Sequence, residues 1–201
     1  MIPVPNPIPE PAGFDRDCRL PGNAWLAANP TSRPKSFPAH WIKFEAELEA
    51  GFACRCGWWA MRIQSGTVDH FLSKNKAANR HLVYEWTNYR HAAPTLNSSK
   101  KELDDQVLDP FEVQPGWFEV LLPSMQLVRT ATVPVHLQAK ADFTIKRLKL
   151  IDGPKVRRNR QRWYEDHKLR GLHIILLEDY APLVAAAVEK WQRDHPGTPL
   201  P

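Results

Sequence analysis

The chain has 201 residues, 43% hydrophobic and 24% charged, with a net charge of +5, which is ordinary usage for one globular domain with decorated ends. No run approaches 18 apolar residues, which excludes a membrane-spanning helix, and MIPVPNPIPEP has neither the basic segment nor the apolar core of a secretory signal, so the expected location is cytoplasmic. Cys18, Cys54 and Cys56 are too few for a disulfide framework.

Nine of the 19 prolines fall in residues 1–38. Residues 1–13 read as a polyproline-like arm, either a tail or an arm docked on a partner or on the chain's own core. Asn23–Ala28 can hold a helical turn. Trp41, Phe44 and Leu48, at i, i+3 and i+7, predict an amphipathic helix over Trp41–Ala50, closed by Gly51. Short strand pieces are expected at Met61–Ile63 and Thr67–Val68 around a Ser65-Gly66 turn. A polar loop follows over 71–82, and then Val83–Trp86 as a helical turn or the start of a strand. Pro94 suits the first turn of a helix reaching about Leu103. Trp117–Leu122 and Val133–Leu137 read as strands. After Asp142 the pattern turns helical: Phe143–Ile151, Pro154–Leu169, Leu172–Tyr180 and Pro182–Trp191. Mixed elements first and helices last argue α+β.

The positive charge is local. Lys146–Arg170 carries ten Lys or Arg against three acids. A phosphate-backbone clamp and a solvated helix face are both compatible with that excess. The eight tryptophans could stack nucleotides or fill the core.

The chemistry-bearing stretch is Thr67–Lys101. A short β piece delivers Asp69 and His70, a polar loop follows, then Trp86-Thr87-Asn88-Tyr89, then a helix with Asn97 in its first turn. Adjacent strand residues point to opposite faces, so Asp69 and His70 flank one spot only at a strand end. Asp69 is a hard oxygen ligand for Mg²⁺ or Mn²⁺, and Asn97 offers an amide oxygen. A neutral His70 can take a proton from water. Lys100 and Lys101, at i+3 and i+4 from Asn97, are expected to face a phosphate. The set suits phosphodiester hydrolysis.

As a set, Asp69-His70, Asn88 and Asn97, within V-D-H-F-x-x-K, Y-E-W-x-N-Y and N-x-x-K, resemble the HNH endonuclease family in its HNN form, notably small stand-alone bacterial members. The resemblance covers about 35 residues. It implies a ββα-metal nuclease core within an α+β fold, with additional strands and a helical C-terminal region. The corresponding division is 1–40 arm, 41–140 nuclease core and 141–201 basic helical region, compact with the core. It implies His70 as general base, Asn88 bracing the His70 loop, and Asp69 and Asn97 holding one Mg²⁺ or Mn²⁺. Lys74, Lys100, Lys101, Arg157, Arg158 and Arg162 are the expected nucleic-acid contacts. The expected substrate is DNA, with RNA as the alternative. Relatives of this kind also imply a role in phage defence beside an ATPase partner.

Many relatives carry two Cys pairs around a structural zinc. Here Cys54 and Cys56 are spaced C-x-C, and Ala93 and Leu96 stand where the second pair would fall, so no zinc is expected. Asp104, Asp105 and Asp109 offer a further acid or plain turn chemistry. A non-catalytic binding module on the same scaffold competes with the nuclease.

Overall fold

The computed structural model describes all 201 residues. The fold is α+β, with two small antiparallel ribbons among seven α-helices. No helix is long and apolar enough to cross a membrane.

The proline-rich arm docks on the chain's own core. Met1 and Ile8 are buried, and Trp86 Nε1 donates to the Ile8 carbonyl at 3.0 Å. Gly51 makes room for it: a Cβ there would stand 2.4 Å from Ile8 Cγ2. Helix α1 spans Leu20–Ala28. The segment around Trp41 splits into a 3₁₀ turn, His40–Phe44, and α2, Glu45–Gly51, with Trp41, Phe44 and Leu48 buried on one side as their spacing requires.

Strand β1, Thr67–His70, pairs antiparallel with β2, Tyr89–Ala92, in the register Thr67↔Ala92 to His70↔Tyr89. Helix α3, Pro94–Lys100, follows directly and packs on β1. No strand forms at Met61–Ile63, where one isolated bridge joins Arg55 to Arg62. Strand β2 lacks apolar alternation because all four of its residues are buried. Arg90 is buried through a two-pronged pair with Asp109, at 2.6 and 2.5 Å.

A second hairpin joins β3, Phe118–Leu121, to β4, Gln126–Arg129. The strand expected at Val133–Leu137 is instead the start of α4, Val135–Arg147. Pro134 sits at its N-cap, and Val135 is 85% exposed, so the apolar run there is not a buried strand. Helices α5, Pro154–Arg170, α6, Ile174–Tyr180, and α7, Pro182–Asp194, match their sequence pattern. Gly171, at φ +72°, ends α5 in the left-handed conformation that glycine adopts without strain.

Two apolar clusters flank the β1–β2 ribbon. One joins Phe14, Cys18 and Phe37 of the N-terminal third to Val68, Tyr84, Trp86 and Tyr89. The other joins Trp58, Ala92, Ala93 and Leu96 to Val156, Leu177, Val184 and Val188 of the C-terminal helices. The ribbon is therefore held from both sides, and its ends are fixed relative to α3.

Candidate functional site

At the end of β1 the chain opens into a cleft of about 590 Å³, lined by Asp69, His70, Lys74, Asn97 and Lys101 among others. Asp69 and His70 reach the same space because His70 is the last residue of the strand. Three acceptor atoms converge there.

The first is on His70. Its Nε2 lies 3.0 Å from the Val83 carbonyl. A carbonyl oxygen only accepts, so Nε2 carries the proton and Nδ1 keeps its lone pair. Nδ1 has no partner in the chain and is not among the sealed polar atoms, so it faces the cleft. Trp41 and Tyr89 meet the ring edge-on, with centroids at 4.7 and 5.1 Å, and fix its plane. Burial first, then the Lys74 charge, holds the imidazole down at about 3, so it is neutral at pH 7.

The second is Asp69 Oδ1, which accepts no hydrogen bond within the chain. Oδ2 stands 3.0 Å from Lys100 Nζ, with Lys100 wholly buried and Asp69 2% exposed. The ammonium matches the charge of Oδ2, which has no other partner. Burial raises the Asp69 pKa and Lys100 opposes that shift.

The third is Asn97 Oδ1. Its Nδ2 leans on the Val68 carbonyl at 3.4 Å, which leaves the oxygen toward the cleft.

Asn88 lies behind the cleft. Its Oδ1 accepts from Leu72 N at 2.8 Å, and its Nδ2 donates to the Leu72 and Leu82 carbonyls at 3.1 Å. One amide thus ties together both ends of the loop that follows His70. Asp104 ties its middle, accepting from Ser73 N at 2.8 Å and Asn79 Nδ2 at 3.0 Å and pairing with Lys76. Asp104 and Asp109 are therefore braces outside the cleft, and neither supplies an acid there.

One expected nucleic-acid contact, Lys100, needs correction. Lys100 is fully buried and cannot face a phosphate. Helix α3 is one short amphipathic segment whose inward row is Leu96 and Lys100, so the ammonium meets Asp69 and the His70 and Phe71 carbonyls. Lys101, at the helix end, does line the cleft. So does Lys74, held 4.3 Å above the Trp41 ring. Arg157, Arg158 and Arg162 are exposed on α5 but lie outside this cleft. Arg160 turns inward, donating to the Met125 and Ile151 carbonyls.

Trp41 and the Val83 carbonyl are site groups that sequence reasoning missed. Trp41 reads as core because its helical spacing is that of a core residue. The Val83 contribution is backbone, which no residue type signals.

The donor set bears on whether a hard cation fits. Asp69 Oδ1 and Asn97 Oδ1 are hard oxygens on one cleft, and Mg²⁺ commonly takes one or two protein oxygens plus water and phosphate. Lys100 occupies only Oδ2, so the set fits such an ion. Cys56 Sγ accepts from Ala93 N at 3.4 Å, and Ala93 and Leu96 are core residues.

Set against known proteins, the chain matches no protein-family model, no curated protein and no solved structure.

Proposed function

We propose that the chain is a divalent-metal-dependent endonuclease that hydrolyses phosphodiester bonds of DNA at the Asp69–His70–Asn97 cleft. The observation that carries this reading is the convergence of His70 Nδ1, Asp69 Oδ1 and Asn97 Oδ1 on one solvent-reached space.

His70 Nδ1 takes the proton of the attacking water. The Val83 carbonyl holds the tautomer that leaves Nδ1 basic, and Trp41 and Tyr89 hold its aim. A phosphate in the cleft counters the Lys74 charge, which after burial is the next cause of the depressed His70 pKa. Lys74 and Lys101 are the cleft's own cations for the phosphate oxygens. Asp69 and Asn97 would hold the ion, which supplies charge neutralisation at the scissile phosphate when bound. Asn88 keeps the His70 loop closed.

A second reading, a binding module without catalysis, is favoured by one observation: Lys100 already neutralises Asp69. Plasmid nicking with Mg²⁺ or Mn²⁺, against an EDTA control, separates the two. Metal-dependent nicking supports the nuclease. No nicking with retained DNA binding supports the module.

A further inference from the structure

A second cleft, of about 680 Å³, lies beside the first, between the start of α3 and the exposed face of α5. Pro94, the first residue of α3, borders both. The second cleft is lined by Arg62, Lys155, Arg158 and Arg162, and no acid lines it. Neither Lys155 nor Arg158 has a carboxylate partner, Arg162 has only Asp166 at 4.0 Å, and Arg62 shares Asp179 with Arg55. These cations are therefore largely uncompensated.

The same cleft exposes aromatic rings. Trp59, Trp163 and Tyr180 line it, each only partly buried. Trp163 and Tyr180 stand 4.9 Å apart, tilted by 42°, and the Arg62 guanidinium lies 5.3 Å above the Tyr180 ring.

Cations alone would fit any polyanion. Aromatic faces inside a cationic cleft fit a narrower class, because a duplex hides its base faces by stacking them on one another, whereas an unpaired base presents both faces to a side chain. The volume lies within the roughly 300–1,000 Å³ typical of ligand clefts.

We propose that the Trp59–Trp163–Tyr180 cleft binds an unpaired polynucleotide strand, which continues over Pro94 to the His70 cleft. The link to His70 rests on the nuclease reading; the binding itself does not. The substrate is then single-stranded or carries an unpaired segment, and α5 holds it through phosphates while the rings hold its bases.

The test is binding in EDTA, where no metal-dependent cleavage occurs, by fluorescence anisotropy of labelled dT20, U20 and a 20-base-pair duplex. The expected result is that dT20 or U20 binds at least ten-fold more tightly than the duplex, and the tighter of the two names the sugar. Replacing Trp163→Leu should weaken strand binding at least five-fold with the salt slope unchanged. The exposed pair Arg158→Ala/Arg162→Ala should instead lower the slope by about 1.4, near 0.7 per phosphate contact on a single strand. Should Trp163→Leu fail to fold, the strand-over-duplex preference of the wild type carries the test together with the arginine pair. Duplex binding equal to strand binding overturns the proposal, as does an unchanged slope in the arginine pair. Nicking activity without strand preference sinks this proposal only. Strand preference without nicking sinks the nuclease reading only.

Discussion

Lys100 Nζ stands 3.0 Å from Asp69 Oδ2, and neither side chain is appreciably exposed. The pair joins α3 to β1 directly beneath the cleft. It is both a structural tie and the local charge balance of the proposed ion ligand. Removing one partner of such a buried pair leaves the other uncompensated and typically costs about 3–5 kcal/mol. Lys100→Met is therefore expected to lower stability by that amount in urea unfolding. Asp69→Asn/Lys100→Met should recover most of the loss. Additive losses in the double variant would show that the two groups do not interact.

Asn88 makes its three hydrogen bonds to backbone groups. Asn88→Ala leaves Leu72 N without its acceptor, at a cost of about 1–3 kcal/mol. The loop after His70 then loosens. The cleavage rate should fall while the metal concentration giving half-maximal rate stays the same. A shifted metal requirement at unchanged maximal rate would place Asn88 with the ion ligands instead.

The arginines of α5 divide by direction. Arg160 is 1% exposed, and burial holds its guanidinium down at about 10. Arg157 is exposed. Arg160→Met is expected to lower the melting temperature and leave the salt slope of DNA binding unchanged. Arg157→Ala should do the reverse, lowering the slope by about 0.7–0.9 if it meets one phosphate. The same effect from both variants would contradict the assignment of α5's inner and outer faces.

His91 is buried on β2 with its Nε2 unpartnered, and burial holds its pKa below the usual 6.5 while Glu49 opposes the shift. The folded state thus favours the neutral ring more than the unfolded chain does, and the unfolded chain takes up its proton first as pH falls through about 6.5. Its contribution is present above that pH and lost as pH falls. His91→Met loses no hydrogen bond and cannot titrate. The drop in melting temperature between pH 7.5 and 5 should therefore be smaller in His91→Met than in wild type. Equal drops would mean that His91 is solvated enough to titrate normally.

The helices from Pro154 onward were legible because Pro, Gly and a 3.6-residue period punctuate them. The grouping of Asp69, His70 and Asn97 was legible from residue type and order. Strand β2 was not, because Arg90 and His91 are buried polar residues and the partner of Arg90, Asp109, lies beyond α3. The inward turn of Lys100 was hidden for the same reason: i+3 spacing from Asn97 places it near the right surface, and only the packing of Leu96 decides which side faces the core. The arm's docking was open in the sequence, since proline-rich composition does not say whether Ile8 finds a groove.

The most direct measurement is single-turnover cleavage by His70→Gln. Glutamine keeps most of the bulk between Trp41 and Tyr89 and a donor for the Val83 carbonyl, whereas alanine would leave a cavity there. With Mg²⁺ or Mn²⁺ saturating, the rate should fall about 10²–10⁴-fold, with DNA affinity and melting temperature close to wild type. Asp69→Ala should also lose cleavage, with partial rescue by excess Mn²⁺ that His70→Gln does not show. Cleavage by His70→Gln as fast as wild type would contradict the central assignment and leave the cleft a binding site.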